Sequence, residues 1–433
     1  MPRSRSAARG LTVTEFDDER NLVVVGGGLA GLRAIEAVRG TGWRGSLTLV
    51  GAEDHPPYDR PPLSKSFLAE GPLDQVTPFR STVQLREELG TDVILGTRVE
   101  GVDTDRRSLQ LSDGRRLAYD SLLVATGSNA RKLDGQDSVS GVVGLRTDRD
   151  AAEVRRHLDQ GARVVIVGAG FVGSEVASAA LQRGLHVTII DSEPVPLTRS
   201  VGRQVGEMCV DLHRAAGVEL RTEVGVASFA SRGGRLTGVV LTDGSELPAD
   251  LAVVGIGATP ATHWLTNSDV ALEADGGIVC GDDLATSVPG IWAAGDVAHV
   301  PYEVFGGDLL RVEHWTNAAE QGAIAGRNAI RGEGDPEKIS GIPYFWSNWY
   351  GHRLQFVGTS LRTEEVVIGP GGPGSVVLYR RGDRIVGALT IDRGGDIMKL
   401  RRRIVARGSW DEAVEFATAR VEDGSGTKQT LPA

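Results

Sequence analysis

The stretch NLVVVGGGLAGLRAIEAVRG at residues 21–40 decides the fold. An apolar, β-branched run at 21–25 leads straight into Gly26-Gly27-Gly28-Leu29-Ala30-Gly31 and then into a helical pattern that lasts to about residue 39. A second apolar strand at 46–50 closes the unit, so the order is strand, glycine turn, helix, strand. Each glycine of the turn has a distinct task. Gly26 makes the tight turn, Gly28 lets backbone N–H groups approach a pyrophosphate, and Gly31 lets helix and strand pack closely. The helix N-terminus then offers its positive end to the phosphates. One such turn is weak evidence, but the pattern returns. Strand 163–167 runs into Gly168-Ala169-Gly170-Phe171-Val172-Gly173, a helix to about residue 183, and strand 186–190. Two copies in one context predict two dinucleotide-binding folds.

The copies differ after their second strands. In the second, Asp191 stands at the strand end, where an acid hydrogen-bonds a ribose diol, and Glu193 lies two positions on. Two carboxylates repel a 2′-phosphate, so NADH is favoured over NADPH; Arg199 is the nearby cation that leaves NADPH open. In the first copy Gly51 and Ala52 come before Glu53. Either Glu53 reaches an adenosine ribose, or backbone groups do that work.

The rest of the chain fits a multidomain protein. Its 433 residues suggest roughly two to four domains. The 58 glycines sit mostly at strand ends and turns, not in low-complexity tracts. Hairpins are expected within 98–120 and 239–247, buried strands at 121–127 and 291–296, and a helix at 313–330. A link follows at 331–336, then antiparallel strands within 344–358 and 375–391, and a helical tail at 398–419. No apolar run reaches the roughly 18 residues that span a bilayer. The basic start of residues 1–20 lacks a following apolar stretch and reads as a frayed extension, not a secretory signal. No membrane association and a cytoplasmic location are the expectation. A net charge of −10 argues against general nucleic-acid binding. Cys209 and Cys280 form no CxxC-like pair, and no metal is expected.

A longer set of motifs then becomes specific. Pro57-Tyr58-Asp59-Arg60-Pro61-Pro62-Leu63-Ser64-Lys65 resembles the PYxRPPLSK signature of the FAD-dependent ferredoxin reductases of bacterial oxygenase systems, within the pyridine nucleotide-disulfide oxidoreductase superfamily. Ala125-Thr126-Gly127, Gly295-Asp296, the run from Arg311 through Glu313, His314, Trp315 and Thr316 to Ala318, and Phe345-Trp346-Ser347-Asn348 match as well. The resemblance spans about residues 22–391. Ala52 departs from the family, as do Asn348 and Trp349, which stand where many relatives show Asp and Gln.

The resemblance implies an α/β fold with two Rossmann-type domains and a C-terminal α+β domain. FAD would sit in residues 21–130 and 252–330, NADH in 131–251, with 335–433 covering the flavin and offering a docking face. It implies FAD contacts at Arg60, Arg131, Asp296, Val99, Ala30, Trp315 and Thr316, with Gly257 and Trp346 also near the cofactors. Lys65 and Glu175 are implied as a pair beside the reacting rings, positioning the nicotinamide; a structural salt bridge is the plainer reading. The superfamily's disulfide reductases need a cysteine pair in the first domain, and no cysteine precedes residue 209. Electrons would therefore leave to a docked carrier. The expected carrier is an acidic [2Fe-2S] ferredoxin serving a cytochrome P450 or a ring-hydroxylating dioxygenase. It would be steered by the basic cluster of Lys399, Arg401, Arg402, Arg403 and Arg407, unless that cluster is only a solvated helix face. A rubredoxin reductase and a binding protein resembling apoptosis-inducing factor are the rival readings. A monomer or weak homodimer is expected.

Overall fold

The computed structural model describes residues 19–71, 76–331 and 335–424. The expected frayed extension lies almost wholly outside them, as do part of the 331–336 link and residues 425–433 of the expected C-terminal domain.

Among the described residues, two parallel five-stranded sheets share the order of four strands, while the fifth, an edge strand, comes last in the chain in one and first in the other. In the first, the strands run in the order Ile291–Ala293, Ser121–Val124, Asn21–Val25, Ser46–Val50 and Asp92–Ile94. The second follows the mirrored list Glu219–Arg221, Val187–Ile190, Val164–Val167, Leu251–Val254 and Val142–Val143. Their central strands are almost wholly buried, as parallel strands covered on both faces must be, which is why they read as unbroken apolar runs. The border expected between residues 251 and 252 falls inside Leu251–Val254, which pairs along the central strand of the second sheet. The chain passes between the two units through an antiparallel pair, Ser128–Ala130 with Ala258–Pro260.

Helix Trp315–Ile330 lies against helix Leu29–Gly40 at very short range. A Cβ at Gly322 would sit 2.2 Å from the Ala30 carbonyl oxygen, and one at Gly326 would sit 2.8 Å from Ala34 Cα. Only glycine permits that approach. It locks the returning part of the first unit onto the helix of its own glycine turn.

The C-terminal unit is an antiparallel sheet ordered Tyr344–Trp349, His352–Gly358, Arg384–Ile391, Val376–Arg381 and Glu364–Ile368. Its apolar face packs Trp349, Leu354, Tyr379 and Leu389 against Val205, Cys209 and Leu212 of helix Arg203–Ala215 in the second unit. The expected single helical tail is in fact two helices, Gly394–Val405 and Trp410–Glu422. Arg407 takes a left-handed conformation, and Ser409 caps the next helix by accepting from the Glu412 amide. Such a reversal ends one helix and begins another.

Candidate active site

A cleft of about 2070 Å³ runs between all three units, roughly twice the volume of the largest ordinary small-ligand pockets, about 1,000 Å³. Gly26, Gly28, Leu29, Ala30, Glu53, Arg60, Lys65, Val99, Ala125, Thr126, Gly127, Gly295, Asp296, Glu313, His314 and Trp315 line it from the first unit. Phe171, Val172 and Glu175 line it from the second, and Trp346 from the C-terminal sheet. Gly31, Arg131, Gly168, Gly170, Gly173, Asp191, Glu193, Arg199, Gly257 and Thr316 lie outside this lining.

The glycine turns are shaped for close backbone approach. Gly26 has φ +126°, and a Cβ there would lie 2.1 Å from the Ala125 oxygen; Gly31 would put one 2.2 Å from the Gly26 oxygen. The second turn repeats the arrangement with Gly168 against Gly255 and Gly173 against Gly168. Gly28 and Gly170 each cap a helix that has no side-chain cap, so its first N–H groups are left for a ligand. Beside Gly28 a Cβ would meet open space. Among the described residues, Thr126 Oγ1 and His314 Nδ1 are buried in this cleft without a hydrogen-bond partner. A cradle of uncapped amides and orphaned polar atoms fits a dinucleotide.

Charged groups of the first unit pair with one another. Glu53 accepts from Tyr58 at 2.7 Å and from Arg60 at 2.5 Å. Burial alone would raise the Glu53 carboxyl, but the charge and hydrogen bond of Arg60 and the Tyr58 hydroxyl outweigh it and hold it below its usual range. Asp296 accepts from Ser128 at 2.9 Å and meets Arg146 at 3.3 Å, while Arg311 bonds its backbone oxygen at 3.0 Å. Arg131 is exposed and bonded to the Ala258 oxygen; Arg146 is a cleft arginine that the sequence reading missed. Trp315 Nε1 donates to Asp59 at 2.8 Å, and Thr316 donates to the Tyr344 oxygen at 2.9 Å. These bonds tie the start of helix Trp315–Ile330 to the PYDRPP segment and to the C-terminal sheet. His314 sits at that helix start, where desolvation pushes its imidazole down to about 4, so it is neutral at physiological pH.

Lys65 and Glu175 meet at 2.8 Å. Ser64 donates to the same carboxylate oxygen at 2.5 Å, and Ser347 donates to the other. Glu175 is 5% exposed and Lys65 23%. Three units thus converge on one ion pair: Ser64 and Lys65 from the first, Glu175 from the second, Ser347 from the C-terminal sheet.

In the second unit Asp191 accepts from the Ala169 amide of the glycine turn at 2.8 Å and from the Glu193 amide at 2.9 Å. Glu193 pairs with Arg199 at 3.0 Å, both well exposed. The basic C-terminal cluster is dispersed. Arg403 stacks on Phe416 at 3.9 Å and Arg407 pairs with Glu303, leaving Lys399 and Arg402 as its exposed, unengaged members among the described residues. Consecutive positions 401–403 lie about 100° apart around a helix and cannot share one face. Cys209 and Cys280 are both buried, and burial pushes both thiols up, the opposite of what a reactive thiolate needs. Among the described residues, no helix is long and apolar enough to cross a membrane, and no His, Cys, Asp and Glu group is placed to hold a metal.

Comparison with known proteins bears on this architecture directly. The model for pyridine nucleotide-disulphide oxidoreductases matches residues 20–322, and that for the reductase C-terminal domain matches 344–422. The chain belongs to the pyridine nucleotide-disulphide oxidoreductase family. It is an oxidoreductase of a family that uses FAD and NAD(H). It is 34% identical to putidaredoxin reductase of Pseudomonas putida, over 89% of this chain and 92% of that one. It is 35% identical to the ferredoxin–NAD(+) reductase subunit of the Pseudomonas putida benzene 1,2-dioxygenase system, over 89% and 93%. The reductase in the crystal structure of the covalent putidaredoxin reductase–putidaredoxin complex superposes with a TM-score of 0.86 at 31% identity, over 95% of this chain and 100% of that one.

Proposed function

We propose that the protein is an NADH-dependent flavoprotein reductase that delivers electrons to a [2Fe-2S] ferredoxin serving a cytochrome P450 or a ring-hydroxylating dioxygenase. The observation that carries this reading is the Lys65–Glu175 pair on a cleft reached from both glycine-turn units. FAD, when bound, would supply a hydride acceptor for NADH and a donor of single electrons.

In this reading the first unit holds FAD. The Gly26–Gly31 turn and the uncapped amides after Gly28 take the pyrophosphate, while Arg146, Asp296 and the orphaned Thr126 and His314 atoms meet its polar groups. The start of helix Trp315–Ile330, fixed through Asp59, would offer its positive end to negative charge on the bound flavin. Glu53 is committed to Tyr58 and Arg60, so backbone groups and Arg60's surroundings serve the adenosine end. The second unit takes NADH, with Asp191 on the ribose and Glu193 excluding a 2′-phosphate. Lys65, held by Glu175, orients the nicotinamide and moves no proton. Exposed Lys399 and Arg402 steer an acidic carrier.

The test is steady NADH oxidation by the FAD-loaded protein with no carrier, a [2Fe-2S] ferredoxin, or a rubredoxin. Turnover that rises only with ferredoxin supports the proposal. Turnover only with rubredoxin, or none with either, overturns it.

A further inference from the structure

Glu175 is nearly buried, and a buried charge is tolerated only when its partners are complete. Its Oε2 accepts from Ser64 and Lys65, and its Oε1 accepts from Ser347. Ser347 is itself constrained. Trp349, two positions along the same strand and therefore on the same face, donates its indole N–H to Ser347 Oγ at 2.7 Å. A serine hydroxyl has one proton to give. With the indole occupying an acceptor site, that proton is directed to Glu175.

Trp349 is fully buried; it stacks on His213 at 5.6 Å and tilts against Phe171 at 5.8 Å. Its direction is therefore set by the packing of the C-terminal sheet on the second unit. A second tie runs alongside, from the Tyr350 amide to Ser178 at 3.0 Å and from His213 Nδ1 to the Tyr350 hydroxyl at 2.8 Å.

We propose that Ser347, oriented by Trp349, is a positioning residue for hydride transfer: it fixes Glu175 so that Lys65 is held at the cleft. This rests on the role given to Lys65 above. It makes the C-terminal unit part of the hydride-transfer geometry, besides covering the flavin and receiving a carrier. Without the serine, Oε1 loses its donor and the carboxylate is held only at Oε2, so the lysine is left with the Pro61 oxygen as its one partner of fixed direction. Misplacement of this kind costs up to about a hundredfold in rate.

The experiment compares Ser347→Ala, Trp349→Phe, Lys65→Met and Lys65→Met with Ser347→Ala, each loaded with FAD. Flavin reduction is followed after anaerobic rapid mixing with NADH. Ser347→Ala is expected to lower the limiting reduction rate roughly tenfold or more while the NADH concentration at half-saturation changes little. Trp349→Phe, which keeps an aromatic ring and loses the N–H, should show a smaller loss of the same kind. In the Lys65→Met background the serine substitution should make no further difference, because a residue that acts through the lysine has nothing left to act on. A merely structural role would add in both backgrounds. A second readout needs no turnover: in the FAD-free protein, amine acylation of Lys65 read by mass spectrometry should rise several-fold in Ser347→Ala.

Wild-type reduction rates and Lys65 labelling in both Ser347→Ala and Trp349→Phe, with Lys65→Met slow, overturn the relay alone. A Lys65→Met variant as fast as wild type overturns the reading beneath it. If Ser347→Ala does not retain FAD, Trp349→Phe and the labelling experiment decide the matter.

Discussion

The first and second dinucleotide units share the order of four strands, the glycine turn and the uncapped helix start, yet they handle charge in opposite ways. After strand Ser46–Val50 the first unit has Gly51, and its next acid, Glu53, 30% exposed, is tied to Arg60, 25% exposed. After strand Val187–Ile190 the second has Asp191, and beyond it Glu193 and Arg199 stand 50% and 86% exposed. The first is roofed by the C-terminal sheet through Thr316 and Trp346; the Asp191 end of the second lies outside the cleft lining. In the proposed reading one scaffold would serve a retained cofactor in the first unit and an exchanging one in the second. Closed, mutually paired charges favour retention, and open ones favour exchange.

The sharpest way to break that comparison is to damage both turns alike. Gly31→Ala and Gly173→Ala each place a Cβ at 2.2 Å and 2.4 Å from a backbone oxygen, and such overpacking costs about 1–3 kcal/mol or more. Gly31→Ala should yield protein that has lost its flavin absorbance. Gly173→Ala should keep the flavin and bind NADH at least about tenfold more weakly. Equal loss of flavin in both would erase the distinction.

A smaller effect comes from His213, where the second unit meets the C-terminal sheet. Desolvation lowers its imidazole from 6.5 to about 4. A group depressed on folding contributes stability that is complete above the unfolded value and is lost as pH falls. Stability should therefore decline between pH 6.5 and about 4, with a slope approaching about 1.4 kcal/mol per pH unit for this one group. His213→Phe should lower the pH 7 to pH 5 difference in unfolding free energy by about 2 kcal/mol, read by urea titration. An unchanged pH dependence contradicts the assignment.

The open charges of the second unit predict a change of about the same order or less. Glu193→Ser frees Arg199 and should raise kcat/KM for NADPH relative to NADH about tenfold from a strong NADH preference. No change in the ratio removes Glu193 from nucleotide choice. Least of all should follow from docking. Lys399→Gln with Arg402→Gln should slow carrier reduction at most about fivefold, only at low salt, because exposed charges contribute about 0–1 kcal/mol each. Equal slowing at high salt would mean that the pair does something other than steer.

How much of this was legible depends on how far apart the partners lie in sequence. The glycine turns are local, so strand, turn, helix and following strand could be read directly, and the PYDRPPLSK run added the lysine. Partners brought together by folding could not. Arg146 meets Asp296 across 150 positions, Ser347 meets Glu175 across 172, and Asp59 meets Trp315 across 256. No period or spacing encodes those meetings. Glu53 was legible as a candidate but not its capture by Tyr58 and Arg60, which sit five and seven residues on in an irregular segment. The basic run at 399–407 was legible as composition, but not which of its members stay exposed. Helical periodicity alone already scatters three consecutive arginines, and Phe416 and Glu303 engage two of the cluster.

In the proposed reaction the two units meet at Lys65 and Glu175 to pass a hydride. It is tested most directly by anaerobic rapid mixing of NADH with FAD-loaded wild type, Lys65→Met and Glu175→Gln, each also after iodoacetamide treatment. One equivalent of NADH should reduce the wild-type flavin with or without alkylation, and both variants should retain FAD but be reduced roughly a hundredfold more slowly. Reduction of both variants at the wild-type rate, or its loss on alkylating the still-folded wild type, would contradict it.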